Sequence, residues 1–262
     1  MDMKYSLALI LVLLLSGCSW FGNQEEQANL SASRLFSDAM EDMDDKNYEQ
    51  AIKKFETLEA RYPYGRFAEQ AQLEVAYAYY KQEDAASATA ACDRFIKMHP
   101  THPNVDYAYY LKGLANFNEN LGILAKLGGQ DITERDPKQA RESYDTFKEL
   151  VRRFPNSKYA GEAAQRARFL LNGLANYEVQ VARYYMQRKA YVAAVNRAQY
   201  VLKNYQQTPS TEEALLIMIQ SYDALGMTDL RDDSERVMKH NFPNSKYVSG
   251  SSDGGTSWWK LW

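Results

Sequence analysis

An all-α fold is predicted by three observations. The phrase Phe154-Pro155-Asn156-Ser157-Lys158-Tyr159 recurs unchanged as Phe242-Pro243-Asn244-Ser245-Lys246-Tyr247, with a relative at Tyr62-Pro63-Tyr64-Gly65-Arg66-Phe67. Pro has no backbone N–H and biases the residue before it away from helix, so each copy closes one helix, while Asn, Ser or Gly after it suits a turn and a new N-cap. Between these phrases lie long stretches rich in Ala, Glu, Gln, Lys, Arg and Leu, with 7 Pro and 13 Gly placed mostly at segment ends. Nothing in the chain alternates apolar and polar residues in the manner of a strand.

The period of the pattern narrows the class to an α-solenoid of about five tetratricopeptide-like helix pairs. That repeat is a helix pair of about 34 residues with small residues where helices touch and Pro at its end. Counting back from Pro63, Ala51 and Phe55 stand at the expected small and aromatic positions of a second helix. From Pro100 the same steps reach Ala88 and Cys92, and Ala76 and Tyr79 fall on the first helix. From Pro155 the aromatic Phe147 is present, but Ser143 holds the small position. From Gln206 the pattern finds Ala194, Tyr185 and Ala182, and from Pro243 only Tyr222 fits. Three units are clear and two are degraded.

Residues 1–17 carry Lys4 and an unbroken apolar run from Leu7 to Leu15, too short to span a bilayer and shaped like a signal-peptide core. The run ends Leu15-Ser16-Gly17-Cys18, which looks like a lipoprotein cleavage box and makes Cys18 the expected acylated residue of the mature chain. Ser19 rather than Asp follows, which by lipoprotein sorting rules implies the outer membrane. Residues 18–30 read as a lipidated tether and 31–247 as the repeat array. Helices are expected at 31–46, 47–61, 66–82, 84–98, 104–118, 137–153, 157–188 as one long helix, 190–204, 210–225 and 228–241, with Ser33 and Asp44 or Asp45 as caps. Residues 119–136 interrupt the period. Their Ile123, Leu124 and Leu127 either fold back on their own repeat or offer a contact surface. Residues 248–262 read as a Gly/Ser linker closing on Trp258, Trp259 and Trp262. These indoles suit a membrane surface or a partner; self-occupancy of the chain's own groove and a loose end are the alternatives.

A net charge of -3 leaves no footprint for nucleic acid. Cys18 and Cys92 are the two cysteines and form no disulfide framework; Cys92 occupies a buried repeat position, an inert thiol. His99 and His102 flank Pro100 and read as a turn, so no metal is expected. Acidic residues are dispersed along helix faces, and no nucleophile elbow, phosphate loop or zinc motif appears, so neither catalysis nor a cofactor is expected. Of the 20 Tyr, nine cluster at 77–80, 107–110 and 177–185, where rings either pack between helices or line a concave face able to grip extended peptide.

The wording of the chain is more specific than its period. Arg61-Tyr62-Pro63-Tyr64-Gly65, Tyr77-Ala78-Tyr79-Tyr80-Lys81, Asp93-Arg94-Phe95-Ile96, Pro100-Thr101-His102-Pro103-Asn104, Arg135-Asp136-Pro137 and Val195-Asn196-Arg197 resemble the BamD family, lipoproteins of the β-barrel assembly machinery. The resemblance runs from Cys18 to about Tyr247. It implies a non-catalytic, periplasm-facing scaffold on the outer membrane of a Gram-negative bacterium. Its implied partners are the POTRA domains of the barrel-forming subunit BamA, other lipoproteins of the complex and unfolded outer-membrane β-barrel proteins. The first repeats are then expected to take the client, with Tyr64, Phe67, Tyr77, Tyr80 and Tyr110 as candidate groove residues. The last repeats are expected to meet the complex, with Arg188, Lys189 and Arg197 as candidates. A repeat adaptor for a periplasmic protease or peptidoglycan enzyme is the alternative.

Overall fold

The computed structural model describes residues 31–128 and 137–245, with 118–128 described by backbone alone. Cys18, the signal and tether segments and the Trp-rich stretch lie outside the described residues, as does 129–136 of the insertion. The described residues form an all-α fold of ten helices in five pairs: α1 (Ala32–Asp44) with α2 (Tyr48–Arg61), α3 (Arg66–Lys81) with α4 (Ala85–Met98), α5 (Val105–Gly128) with α6 (Pro137–Arg153), α7 (Ala160–Gln187) with α8 (Tyr191–Asn204), and α9 (Ser210–Ala224) with α10 (Thr228–Asn241). Between Ala91 and Cys92 the chain divides into two compact units.

One register runs through all five pairs. Each second helix ends on an aromatic residue whose N–H donates to the carbonyl four positions back, at 2.8 Å in every case: Tyr62 to Leu58, His99 to Phe95, Phe154 to Leu150, Tyr205 to Val201, Phe242 to Met238. The acceptor residues Leu58, Phe95, Leu150, Val201 and Met238 are all fully buried. Apolar burial therefore fixes which turn faces the core, and in four of the five pairs the Pro that follows cannot extend it.

The turn inside a pair is equally uniform in four of the five. Lys46, Glu83, Lys189 and Gly226 have φ of 63, 62, 58 and 70°. Around each, two reverse N–H donations close the helix, as in Lys189 to Met186 (2.9 Å) and Ala190 to Tyr185 (2.9 Å). This satisfies carbonyls that the helix end would otherwise orphan. The α5–α6 pair instead carries the 119–136 insertion.

At the small position Ala51, Ala88, Ser143 and Ala194 are fully buried. Ser143 earns its place by donating its Oγ–H to the Gly113 carbonyl at 2.8 Å. A Cβ on Gly113 would come within 2.5 Å of the Phe147 ring, so the missing side chain lets that ring of α6 lie directly on the α5 backbone. In the last pair the same position is Arg231, paired with Asp223 at 3.0 Å and with Asp232 at 2.6 Å. Val195, Ala198 and Leu202 of α8 pack into core clusters, whereas their counterparts 37 positions on, Asp232, Glu235 and Lys239, are polar. Among the described residues α10 is the last helix, and these polar residues suit a helix on which no further pair stacks. By contrast α9, in contact with α7, α8 and α10, is buried continuously from Ala214 to Ile219.

Three expectations need correction. The first N-cap is Ser31, whose side chain accepts from the Arg34 N–H at 3.3 Å, rather than Ser33. Asn47, not Asp44 or Asp45, precedes α2, because the chain first needs the left-handed residue at Lys46. The helix expected to stop at 118 continues to Gly128: the first ten residues of the insertion, 119–128, extend it, since they offer Leu, Ile and Ala and no Pro. The long helix expected at 157–188 is found at 160–187.

Candidate functional site

In the first unit the candidate client residues sit at the start and along one side of α3. Gly65, at φ 98°, turns the chain into that helix with open space around it, and its carbonyl accepts from Ala68 N–H at 3.0 Å. Tyr64, thrust outward by this turn, is 92% exposed. Phe67 is half-buried against the α1–α3 core, its ring 5.7 Å from Phe36, with the Arg66 guanidinium 4.7 Å above it. One turn apart, Tyr77 and Tyr80 stack at 6.3 Å, and Lys81 Nζ stands 6.0 Å from the Tyr77 ring. Glu74 lies one turn before Tyr77 on the same helix, and burial pushes its carboxyl above the usual range. Together these residues supply flat apolar area, a cation and a carboxylate on one helix.

Tyr110 does a different job in the second unit. Its hydroxyl donates to Glu162 Oε2 at 2.7 Å, and its ring stacks on Tyr159 at 4.6 Å and 16°. Tyr109 accepts from Arg153 Nη1 at 2.5 Å and packs against Phe154 at 5.7 Å. Ser157 of the hexapeptide donates to Asp106 at 2.6 Å, and its counterpart Ser245 donates to Glu212 at 2.5 Å. The repeated phrase thus pins the first turn of the first helix in its own pair, and the 107–110 aromatics belong to that joint.

The three candidate cations have separate surroundings. Arg188 caps the C-terminus of α7 and lies 4.8 Å over the Tyr184 ring, while Lys189 holds the left-handed turn position. Arg197 donates to Glu178 Oε2 at 3.0 Å. Glu178 is only 3% exposed, and Arg141 approaches its other oxygen at 3.9 Å. Arg141 also donates to the Tyr205 hydroxyl at 3.4 Å and lies 5.9 Å from the Tyr200 ring. Burial pushes Tyr205 up to about 12, against the pull of Arg141 in the opposite direction. Beside this network Tyr185, Ala193, Asn196, Arg197 and Tyr200 line an open groove of about 380 Å³. The network was not anticipated. Its signal was a carboxylate on a core stripe, since Leu174, Glu178 and Ala182 are spaced by four and all buried.

Cys92 is fully buried, and burial first, then Asp93, pushes its thiol up to about 12, which leaves no reactive thiolate. His99 and His102 pack on Phe95 at 5.0 and 5.2 Å, and His102 Nδ1 accepts from Asn104 N–H at 3.0 Å. Among the described residues no group of three His, Cys, Asp or Glu is placed to hold a metal, and no helix is long and apolar enough to cross a membrane.

Comparison with known proteins places this architecture. The family model described as YfiO, outer membrane lipoprotein, matches residues 28–237. An outer membrane protein assembly factor BamD of Neisseria meningitidis serogroup A is 44% identical over 264 residues, covering 99% of each chain. The protein of that name from Neisseria gonorrhoeae is equally similar, at 44% over 99% of each chain. One from Vibrio cholerae is 35% identical over 91% of this chain and 99% of its own. With a family model spanning most of its length and relatives aligned almost end to end, this chain belongs to the BamD, or YfiO, family of outer membrane lipoproteins.

Proposed function

We propose that this protein is a scaffold of outer-membrane protein assembly: it is anchored by acylated Cys18, faces the periplasm, and binds unfolded β-barrel clients and the POTRA domains of the barrel-forming subunit together with other lipoproteins of the complex. The observation that carries this reading is the near end-to-end 44% identity to proteins named outer membrane protein assembly factor BamD. Its chemistry is binding without catalysis. Preformed helix pairs hold an extended client and raise its effective concentration near the insertion machine, with no bond made or broken. Exposed Tyr64 and the Tyr77–Tyr80 pair offer client contacts on one helix and its entry turn. Arg188 and Lys189 at the α7–α8 turn present positive charge to an acidic POTRA surface.

In-cell photocrosslinking from Tyr64 and from Lys189 tests the assignment. Recovery of nascent barrel proteins from the first position and of the barrel-forming subunit from the second supports it. Recovery of a periplasmic protease or a peptidoglycan enzyme from both would replace it with an adaptor role.

A further inference from the structure

The outward side of the second helices changes character along the chain. At two positions seven residues apart, α2 carries Gln50 and Thr57, α4 Ser87 and Arg94, and α6 Glu142 and Glu149. At the same positions α8 carries Ala193 and Tyr200, and α10 carries Leu230 and Val237. The repeat does not need apolar residues there, since three pairs do without them. Met227 at the N-cap of α10 and Leu230 and Val237 on the helix are 45, 46 and 45% exposed. They fall on one helical face, at offsets of 3 and 10 residues, and Leu225 in the preceding turn is exposed beside them. The polar border of the face holds Asp229 and Asp233.

Close by in sequence stand the residues suited to cover it. After Ser245 come ten residues to Gly255 dominated by Ser and Gly, and then Trp258, Trp259, Lys260, Leu261 and Trp262. Eleven residues, Ser245 to Thr256, reach up to about 36 Å when extended and span roughly 18 Å on average as a flexible chain. The 14-residue α10 is about 21 Å long. The stripe is therefore within reach at an effective concentration on the order of mM.

We propose that residues 256–262 fold back onto α10, the indoles covering Met227, Leu230 and Val237 and Lys260 facing Asp229 and Asp233. The last repeat is then closed on its outward side by the chain itself, and a partner or bilayer must displace this segment to reach the stripe. The inference is independent of the proposed scaffold role.

The test uses residues 18–262 with Cys18→Ser and Trp20→Phe, which keeps every described residue, adds no acyl chain and leaves the three indoles at 258, 259 and 262 as the only Trp. Without lipid or partner, their emission should be blue-shifted relative to the isolated 246–262 peptide, shielded from acrylamide, and independent of protein concentration. The pair Leu230→Asp and Val237→Asp should shift emission and quenching to the peptide values while helicity and the unfolding midpoint hold, both side chains being exposed. Peptide-like emission in both chains, shielding that appears only with vesicles of phosphatidylethanolamine and phosphatidylglycerol, or shielding that grows with protein concentration would each overturn the proposal, the last two in favour of a bilayer or a second copy.

Discussion

Helices α8 and α10 are the same element written twice, 37 residues apart, yet one has a further pair stacked on it and the other is the last helix described. Both bury the residue before their last turn, Val201 and Met238, and both end on an aromatic whose N–H closes the helix at 2.8 Å. They part at the positions that face a neighbour: Val195, Ala198 and Leu202 against Asp232, Glu235 and Lys239. A repeat is thus specified by two separable instructions. One builds the pair, and the other states whether anything may stack on it.

Exchanging those instructions should give the largest effect. Val195→Asp places a charge where 6% of the side chain meets solvent, and loss of about 3–5 kcal/mol is expected, read as a lower urea midpoint. The reciprocal Asp232→Val gives up an exposed pair with Arg231 and should stay within about 0.5 kcal/mol. Equal effects would mean that the polar residues of α10 are not a cap.

Arg197 of α8 corresponds to Ser234 of α10, which donates only to the Leu230 carbonyl. Arg197→Ser leaves Glu178 with Arg141 at 3.9 Å as its remaining cation. Because Arg197 is itself half exposed, the expected loss is about 1–3 kcal/mol rather than that of a fully buried pair. Glu178→Gln in the same background should restore part of it; no restoration would show that Arg197 matters through its aliphatic stem. This also bears on function, since weakened partner binding by an Arg197 variant counts as interface loss only if the fold is intact.

Lys189 and Gly226 hold the same left-handed turn position. Lys189→Gly should stabilise, and Gly226→Ala destabilise, by about 0.5–1 kcal/mol each, checked by thermal unfolding. The smallest effect concerns the next residue, which is Asp84 before α4 but Ala190 and Met227 before α8 and α10. Asp84 accepts from the Ser87 N–H at 3.0 Å, and this bond, first among its causes, holds its carboxyl below the ordinary 3.8. Its contribution is therefore present above pH 3.8 and is lost as pH falls through the lower folded value. Asp84→Ala should cost about 0.5–1 kcal/mol at neutral pH and little at acid pH, and Ala190→Asp should add a similar amount with the same pH profile. A pH-independent effect would rule out capping by the carboxylate.

The aromatics divide along a similar line. Composition singled out the Tyr clusters, but Tyr64 and Tyr110 read alike as letters, and only packing separates an outward ring at a glycine turn from one stacked on Tyr159 and bonded to Glu162. The cations behaved the same way: Arg188, Lys189 and Arg197 are close in sequence, but one lies over a ring, one holds a turn and one neutralises a buried acid.

By itself the sequence determined the fold class, the five pairs and the Pro-marked ends of their second helices, because helix periodicity, Pro and the small-residue spacing act within a few turns of chain. It also determined the family, since phrases such as Arg61-Tyr62-Pro63-Tyr64-Gly65 carry that information wherever they sit in space. Tertiary structure decided what local spacing does not encode. Ser143 passes as a small residue because its hydroxyl reaches the Gly113 carbonyl, and Glu178 tolerates burial because Arg197 arrives from another helix. For Ser143 and Glu178 the deciding partner lies 30 and 19 residues away along the chain, and its contribution exists only once the helices have packed.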